Sequence, residues 1–384
     1  MPSLKNKTIL IVSPQAWGNM FISKHHYALE LARRGNTVYF LNPPGEGNPK
    51  TRKVEIHPSG ILPGLFFITH SLWFPYRLKF HALPLFHFLM SYQVKKIQKK
   101  IGSPVDIIWS FDLGNLYPFR FFNGIPIKIF HPVDEPLNPA AINSAAGADI
   151  IFSVTTEILG KYKQFGLPGY FINHGVSENF LLAIAGTNDG TAVRIGFSGN
   201  LLRNDVDREI FLQIIRENPD IYFECWGSYR DNHSNIGGVS DVNTQKFITD
   251  LLQQPNLILH GPVSTDRLSN EIRNMDGFLI CYDIKKDQSG GTNYHKIMEY
   301  ISTGKVIISN NVTTYATRPD LVRMVDSRED NRDLPVLFKD IVSRLDHFNS
   351  PELIRKRMSF AKDNSYQRQI ERIEGILDQN LPSK

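Results

Sequence analysis

The stretch DQSGGTNYHKIMEYISTGKVIISNN, residues 287–311, decides how the rest of the chain is read. A polar loop from Asp287 to Asn293 runs into an amphipathic helix. Ile297, Met298 and Ile301 form its apolar face, with Tyr294 one turn earlier. Gly304 falls where a helix needs a left-handed closing residue, and Val306–Ser309 then reads as a short buried strand.

The start of that helix carries the chemistry. Its first turn has free N–H groups and partial positive charge, which suits an anion. Gly290 and Gly291 let backbone approach a ligand closely, and Thr292 and Asn293 can cap the helix or donate to phosphate oxygens. Lys296 adds a full positive charge, and Glu299 can accept two hydrogen bonds from a ribose diol. These residues fit a nucleoside diphosphate cradle. They also fit an ordinary capped helix between a loop and a strand.

Outward from there, both halves of the chain alternate short apolar runs with helical patterns, the signature of βαβ units. In the first half Thr8–Ser13, Thr37–Leu41, Val54–His57, Asp106–Ser110, Ile127–His131 and Asp149–Val154 read as strands, and Ser23–Arg34 as a helix with Tyr27, Ala28, Leu31 and Ala32 inward. In the second half the strands are Arg194–Ser198, Ile221–Trp226, Asn256–His260, Gly277–Tyr282 and Val306–Ser309. Such sheets place ligand groups at strand C-terminal ends. No G-x-G-x-x-G follows the first strand, so a dinucleotide fingerprint is missing. The loop there, with Gly18 and Asn19, can still offer amides to a phosphate, or be a plain turn.

Past the Ile127–His131 strand, His131, Asp134 and Glu135 cluster in KIFHPVDEP, where ionisable groups are site candidates or a polar loop. Asp205-Val206-Asp207 matches the spacing of a metal-binding D-x-D. It precedes the helix Arg208–Arg216, and capping with dipole compensation explains it better. Residues 181–192 are small and polar and read as a linker; Asp231–Asp241 reads as a polar loop.

The chain has 384 residues, enough for two or three domains, and a net charge of +5. Residues 1–180 hold 18 Lys+Arg against 10 Asp+Glu, while 181–384 hold 25 against 28. The first half therefore suits an anionic partner. Residues 56–105 contain no acid at all. They interleave Arg77, Lys79, Lys95, Lys96, Lys99 and Lys100 with aromatics and leucines. That composition suits an anionic membrane surface better than nucleic acid, and it also fits a core-packing helix pair with a solvated basic face. Pro75 and Pro84 break this segment into two short helices. The two cysteines, Cys225 and Cys281, sit in apolar runs, so a disulfide framework is excluded and a reducing compartment fits. The apolar run Ile9–Val12 is too short for a secretory core, and no stretch is long and apolar enough for a bilayer span. The expected location is cytoplasmic, peripheral on the inner face of the cell membrane.

The run NYHKIMEYISTGKVIIS resembles the P-x-K-x-x-E-Y-x-x-x-G-K-P-V-V segment of GT-B glycosyltransferases, in the glycosyl transferases group 1 family, through Lys296, Glu299, Tyr300, Gly304 and Lys305. IGFSGNL (Ile195–Leu201) resembles that family's I-G-Y-x-G-x-L loop, LHGPVSTDRLSNEIRNMDGFLICY its approach to the donor loop, and FINHGVSENF its P-x-G-V-D-x-x-x-F domain closure. NSYQRQIERIEGIL is similar to its closing S-W-x-x-R helix, with Tyr366 for tryptophan. The resemblance implies an α/β chain of two Rossmann-like domains facing a cleft: 1–180 for the acceptor, 193–364 for the donor, and helix 365–384 crossing back to the first. It implies transfer of a sugar, with retention, from a nucleotide diphosphate-sugar to an acceptor hydroxyl, without metal or other cofactor. Donor contacts are then expected from Gly18, Asn19, Gly199, Asn200, Arg203, Tyr282, Gly290, Gly291, Thr292, Asn293, Lys296 and Glu299. Catalytic contacts are expected from His131, Asp134 and Lys296. One position departs: many members carry an acid eight residues before the glutamate, and here it is Gly291, with Asp287 nearby but out of register. Together with the basic segment, the resemblance suggests a glycan or lipid-linked acceptor and no nucleic acid. Two other classes share the pattern: a sugar-nucleotide epimerase or hydrolase, and a non-catalytic nucleotide or membrane-surface binding protein.

Overall fold

A computed structural model describes residues 4–18, 21–45, 53–183, 192–230 and 241–380. Asn19, most of the expected linker 181–192 and most of the expected loop 231–241 lie outside the described residues. The chain divides into two units, Met1–Asn173 with Tyr366–Lys384, and His174–Ser365.

The first unit is built on eight strands: β1 Thr8–Val12, β2 Thr37–Leu41, β3 Val54–Pro58, β4 Leu65–His70, β5 Ile107–Ser110, β6 Ile127–Phe130, β7 Ile150–Ser153 and β8 Gly169–Phe171. Their order is β3-β4-β2-β1-β5-β6-β7-β8. Every pair is parallel except β3 with β4. A parallel sheet has both faces covered, which is why its strands are apolar throughout. Leu10 and Val12 of β1 join one core cluster, with Ile108 and Phe130. Ile9 and Ile11 join the other, with Trp109 and Ile129. The alternation follows from the two-residue period of a strand.

Two sequence expectations change here. Val54–Pro58 is a strand, but it runs antiparallel at the sheet edge, and the parallel place beside β2 belongs to β4. Leu65, Phe66 and Phe67, grouped in the sequence with the basic aromatic segment, are therefore sheet residues. The helices of that segment are Leu78–His81 and Leu83–Ile101, and Pro84 starts the second rather than interrupting it. No helix among the described residues is long and apolar enough to cross a membrane.

The helix Tyr366–Asn380 completes this unit. Tyr366, Ile370, Ile373 and Leu377 fill the same face as Ile9, Ile11 and Trp109. Gln369 donates to the Asn173 carbonyl (3.0 Å), and Tyr170 donates to Asn380 Oδ1 (2.6 Å).

The second unit holds β9 Arg194–Ser198, β10 Tyr222–Trp226, β11 Leu257–Gly261, β12 Gly277–Ile280, β13 Val306–Ser309 and β14 Arg323–Met324. All pairs are parallel and the order is β11-β10-β9-β12-β13-β14. In both sheets the direction of winding reverses beside the first strand, between β1 and β5 and between β9 and β12. A crevice opens at such a point, outside the strand C-terminal ends.

Candidate functional site

In the second unit the residues singled out by sequence converge at the β9/β12 reversal. β9 ends at Ser198, whose N–H donates to the Tyr300 hydroxyl (2.6 Å), with its Oγ 2.9 Å from the same oxygen. Tyr300 is fixed by stacking on Phe278 of β12, centroids 4.1 Å apart. One turn earlier on the helix His295–Thr303, the Lys296 ammonium donates to the Ser198 carbonyl and to the Tyr282 hydroxyl. It also lies 4.8 Å from the ring centres of Phe197 and Tyr282. Burial lowers its pKa from 10.5 to about 8, with the Arg203 charge adding to the fall and Glu299 opposing it.

Gly199 leaves room for this arrangement. A Cβ there would stand 2.6 Å from Lys296 Nζ and 3.0 Å from the Tyr282 hydroxyl. Next to it, the Gly199 N–H donates to the Trp226 carbonyl (2.7 Å), and the Gly227 N–H donates to the Gly261 carbonyl (2.9 Å). A Cβ on Gly227 would fall 2.1 Å from the Gly199 oxygen. The ends of β9, β10 and β11 thus meet backbone to backbone. Asn200 Oδ1 accepts from the Leu202 N–H (2.9 Å), shaping the loop that carries Arg203.

Arg203 is gripped by Asp205, with Nε 2.9 Å from each carboxylate oxygen and Nη2 bonded as well. That ion pair raises the arginine's pKa, so it stays charged. Asp207 accepts from the Ile210 N–H at the head of the helix Arg208–Glu217 and from Asn331 Nδ2. The D-x-D is accordingly split between an arginine clamp and a helix cap, and no cluster able to hold a metal ion occurs among the described residues.

The glycine loop is organised by Asp287, whose role the sequence reading missed. One of its oxygens accepts from the Ser289 N–H (3.0 Å). The other accepts from Ser289 Oγ (2.5 Å), the Gly291 N–H (3.1 Å) and the Tyr294 hydroxyl (2.8 Å). The signal was an aspartate two residues before a serine and three before a glycine pair, the pattern of a side chain that closes its own turn. The Gly290 carbonyl is held by Arg328, and the Thr292 hydroxyl donates to the Ser289 carbonyl (2.9 Å). Asn293 is buried at the loop's end. Gly291 has φ +64, and a Cβ there would meet the Asn311 carbonyl at 2.9 Å. Glycine at 291 is thus a backbone requirement: this loop disfavours any side chain there, including the acid of the family the sequence resembles. Glu299 lies one turn past His295, whose Nδ1 is 3.3 Å from its carboxylate. Tyr282 itself is buried, its N–H on Asn310 Oδ1 (2.9 Å) and its carbonyl on Asn331 (2.9 Å).

The first unit places Gly18 past β1, and His131 and Asp134 past β6. Trp17, before Gly18, donates its N–H to Asn42 Oδ1 (3.0 Å) and packs among Phe21, His25, Phe40 and Phe67. His131 is fully buried among Tyr27, Trp109 and Phe111, and accepts the Trp109 indole N–H at Nδ1 (3.2 Å). Its Nε2 has no partner among the described residues. Burial, with the Lys24 charge, pushes its pKa down to about 3 and keeps it neutral. Asp134, three residues on, is exposed. Two buried groups there were not singled out by sequence. Lys24 is 1% exposed, its ammonium bonded to Gln15, and burial lowers its pKa to about 8 against the pull of Asp134 and Asp112. Asp112, just past β5, accepts the N–H groups of Gly114 and Leu116, both at 2.7 Å.

These two sheets, with the terminal helix returned to the first unit, make the GT-B fold of glycosyltransferases. A sucrose-phosphate synthase from Thermosynechococcus elongatus superposes with a TM-score of 0.72 at 11% identity, over 97% of this chain and 98% of that one. Anabaena HepE in complex with UDP and glucose gives 0.62 at 12% identity, over 96% and 99%. A lipopolysaccharide outer core galactosyltransferase in its apo form gives 0.61 at 12% identity, over 97% and 100%. Comparison of the sequence with protein-family models and with curated proteins finds no match.

Proposed function

We propose that the protein is a glycosyltransferase that moves a sugar from a nucleotide diphosphate-sugar to an acceptor hydroxyl, with retention. One observation carries the reading. The Lys296 ammonium is held at the β9/β12 reversal, at the head of a helix, with its pKa depressed by burial and by the second cation, Arg203. Two cations beside a helix N-terminus gain most when an anion arrives. The Asp287-built loop presents its backbone beside them, and Glu299 lies on the following turn, where a ribose diol is the partner suited to a carboxylate. HepE, which shares the fold, was solved with UDP and glucose bound.

In this role Lys296 and Arg203 neutralise charge on the departing diphosphate, which is electrostatic catalysis directed at developing charge. We assign no protein nucleophile. Asp134, exposed at the end of β6, is available to orient an acceptor, whereas the neutral, buried His131 acts on Tyr27 and Trp109 rather than on solvent. The acceptor we favour is a lipid-linked or cell-surface glycan precursor, because the acid-free segment 56–105 suits an anionic membrane surface.

Thermal shift against UDP, GDP, ADP, CMP, dTDP and NAD tests the donor site. A ligand at about 100 times its dissociation constant stabilises by ~2.7 kcal/mol. A shift with one diphosphate that disappears in Glu299→Ala is the expected result. No shift with any of them overturns the reading. A shift without sugar transfer to any hydroxyl acceptor favours a non-catalytic nucleotide-binding protein, the alternative that the acid-excluding Gly291 keeps in play.

A further inference from the structure

Seven of the seventeen large apolar side chains exposed among the described residues fall between Trp73 and Tyr92. Phe80 is 72% exposed and Phe88 57%. The helix Leu83–Ile101 buries Phe86, Met90, Val94, Ile97 and Ile101 against the sheet. Its opposite stripe, at spacings of three and four, runs Leu85, Phe88, Tyr92, Lys95, Lys99. The stripe is apolar at the start of the helix and cationic at its end, over ~21 Å of helix length at the usual rise. Lys96 and Lys100 widen the cationic end.

A shallow groove of about 510 Å³ opens beside the apolar end, between Leu83, Phe88 and Phe121. Arg120 lies along it, its Nη2 2.9 Å from His87 Nδ1. Burial and the Arg120 charge hold His87 below the usual imidazole range, so it accepts from the guanidinium as a neutral ring.

We propose that this helix face docks obliquely on an anionic phospholipid bilayer. Phe80, Leu83, Leu85 and Phe88 enter the boundary between headgroups and acyl chains, and Lys95, Lys96, Lys99 and Lys100 lie on the headgroup phosphates. The groove takes one lipid, its phosphate on Arg120. This deepens the membrane-borne acceptor of the reading above by naming the residues and the orientation.

Charge complementarity selects the occupant. The segment 56–105 has no carboxylate, so a second copy of the same face would oppose like charge. Leu83 and Leu85 gain nothing from a nucleic acid backbone, whereas an acyl boundary takes them to a depth of ~5–10 Å. The helix is amphipathic and lies in the first unit's own surface, the form expected of a chain that lies on a bilayer rather than spanning it.

The test is flotation of the full chain with vesicles of pure phosphatidylcholine, or of phosphatidylcholine with ~30% phosphatidylglycerol. The salt is about 50 mM or about 500 mM. The wild type is expected to float with the anionic vesicles and to be released by salt. Phe80→Ser with Phe88→Ser should lower the partition about tenfold at either salt. Neutralising the four lysines with Gln should lower it roughly five-fold per lysine, at low salt alone. Val336→Ser removes an equally exposed apolar side chain in the second unit and should change nothing. Nucleotide binding by the same variants should stay at the wild-type level, which separates this proposal from the donor-site reading. Wild-type protein that stays with the buffer, flotation indifferent to both sets of changes, or a dimer dissolved by the phenylalanine changes would overturn it.

Discussion

Replacing Lys296 by Met should make the protein more stable and unable to hold its donor. The charged lysine is tolerated at a cost. A pKa lowered from 10.5 to about 8 corresponds to ~3 kcal/mol for a buried ammonium, and nearer ~2 for one that keeps some solvent contact. Methionine removes that cost and forfeits the hydrogen bonds to the Ser198 carbonyl and the Tyr282 hydroxyl, together ~1–2 kcal/mol. The net gain is on the order of 1 kcal/mol, or ~2–4 °C in melting temperature for a unit of this size. The sign can be checked with pH. The folded pKa lies below the unfolded one, so the wild type carries the full penalty below pH 8 and sheds it as pH rises toward 10.5. The advantage of the variant should therefore be largest near neutrality and fade across that window. The assay is a melting curve across pH, with and without the diphosphate that stabilises the wild type. A variant that still binds that diphosphate within threefold of wild type would refute the reasoning, whatever its melting temperature.

Donor affinity in the wild type should fall about tenfold per pH unit above 8, as the free Lys296 loses its proton, and titration calorimetry across that range would read it. Gly199→Ala drives a methyl to 2.6 Å from Lys296 Nζ and should weaken diphosphate binding at least tenfold while the sheet stays folded by circular dichroism. Gly291→Asp introduces the acid found in the family the sequence resembles, but places a side chain at φ +64, 2.9 Å from a carbonyl. It should cost ~1–2 kcal/mol of stability and gain no activity, and a faster enzyme would contradict the backbone argument. Asp287→Ala strips acceptors from Ser289, Gly291 and Tyr294 and should cost ~2–4 kcal/mol, with donor affinity falling further than unfolding alone explains.

Most of the fold was legible because parallel strands buried on both faces are apolar runs with sharp ends. Thr37–Leu41, Arg194–Ser198 and Val306–Ser309 are found where the sequence put them. β4 was hidden because LFFITH is continuous in composition with the exposed aromatics that follow it. β8 and β14 are too short to show a period, at three and two residues. The residues that meet at the β9/β12 reversal could be picked out from their motifs, yet the motifs did not reveal that Asp287 builds the loop. On the first unit the signals were periodic and unused. Lys24 stands three and four residues before the inward Tyr27 and Ala28, which puts it on the buried face of its helix. His131 continues the alternation Ile127, Ile129 and so turns into the core, while Asp134 lies beyond the reach of that period.

The helix Tyr366–Asn380 has a consequence for biosynthesis. The core of the first unit needs Tyr366, Ile370, Ile373 and Leu377 to cover Ile9, Ile11 and Trp109, yet all of His174–Ser365 is translated in between. At ~5–20 residues per second the nascent first unit waits on the order of 10–40 s with one apolar face open. The core cluster of the second unit draws only on residues between Val176 and Ala361. Chaperone demand should therefore fall on the half made first.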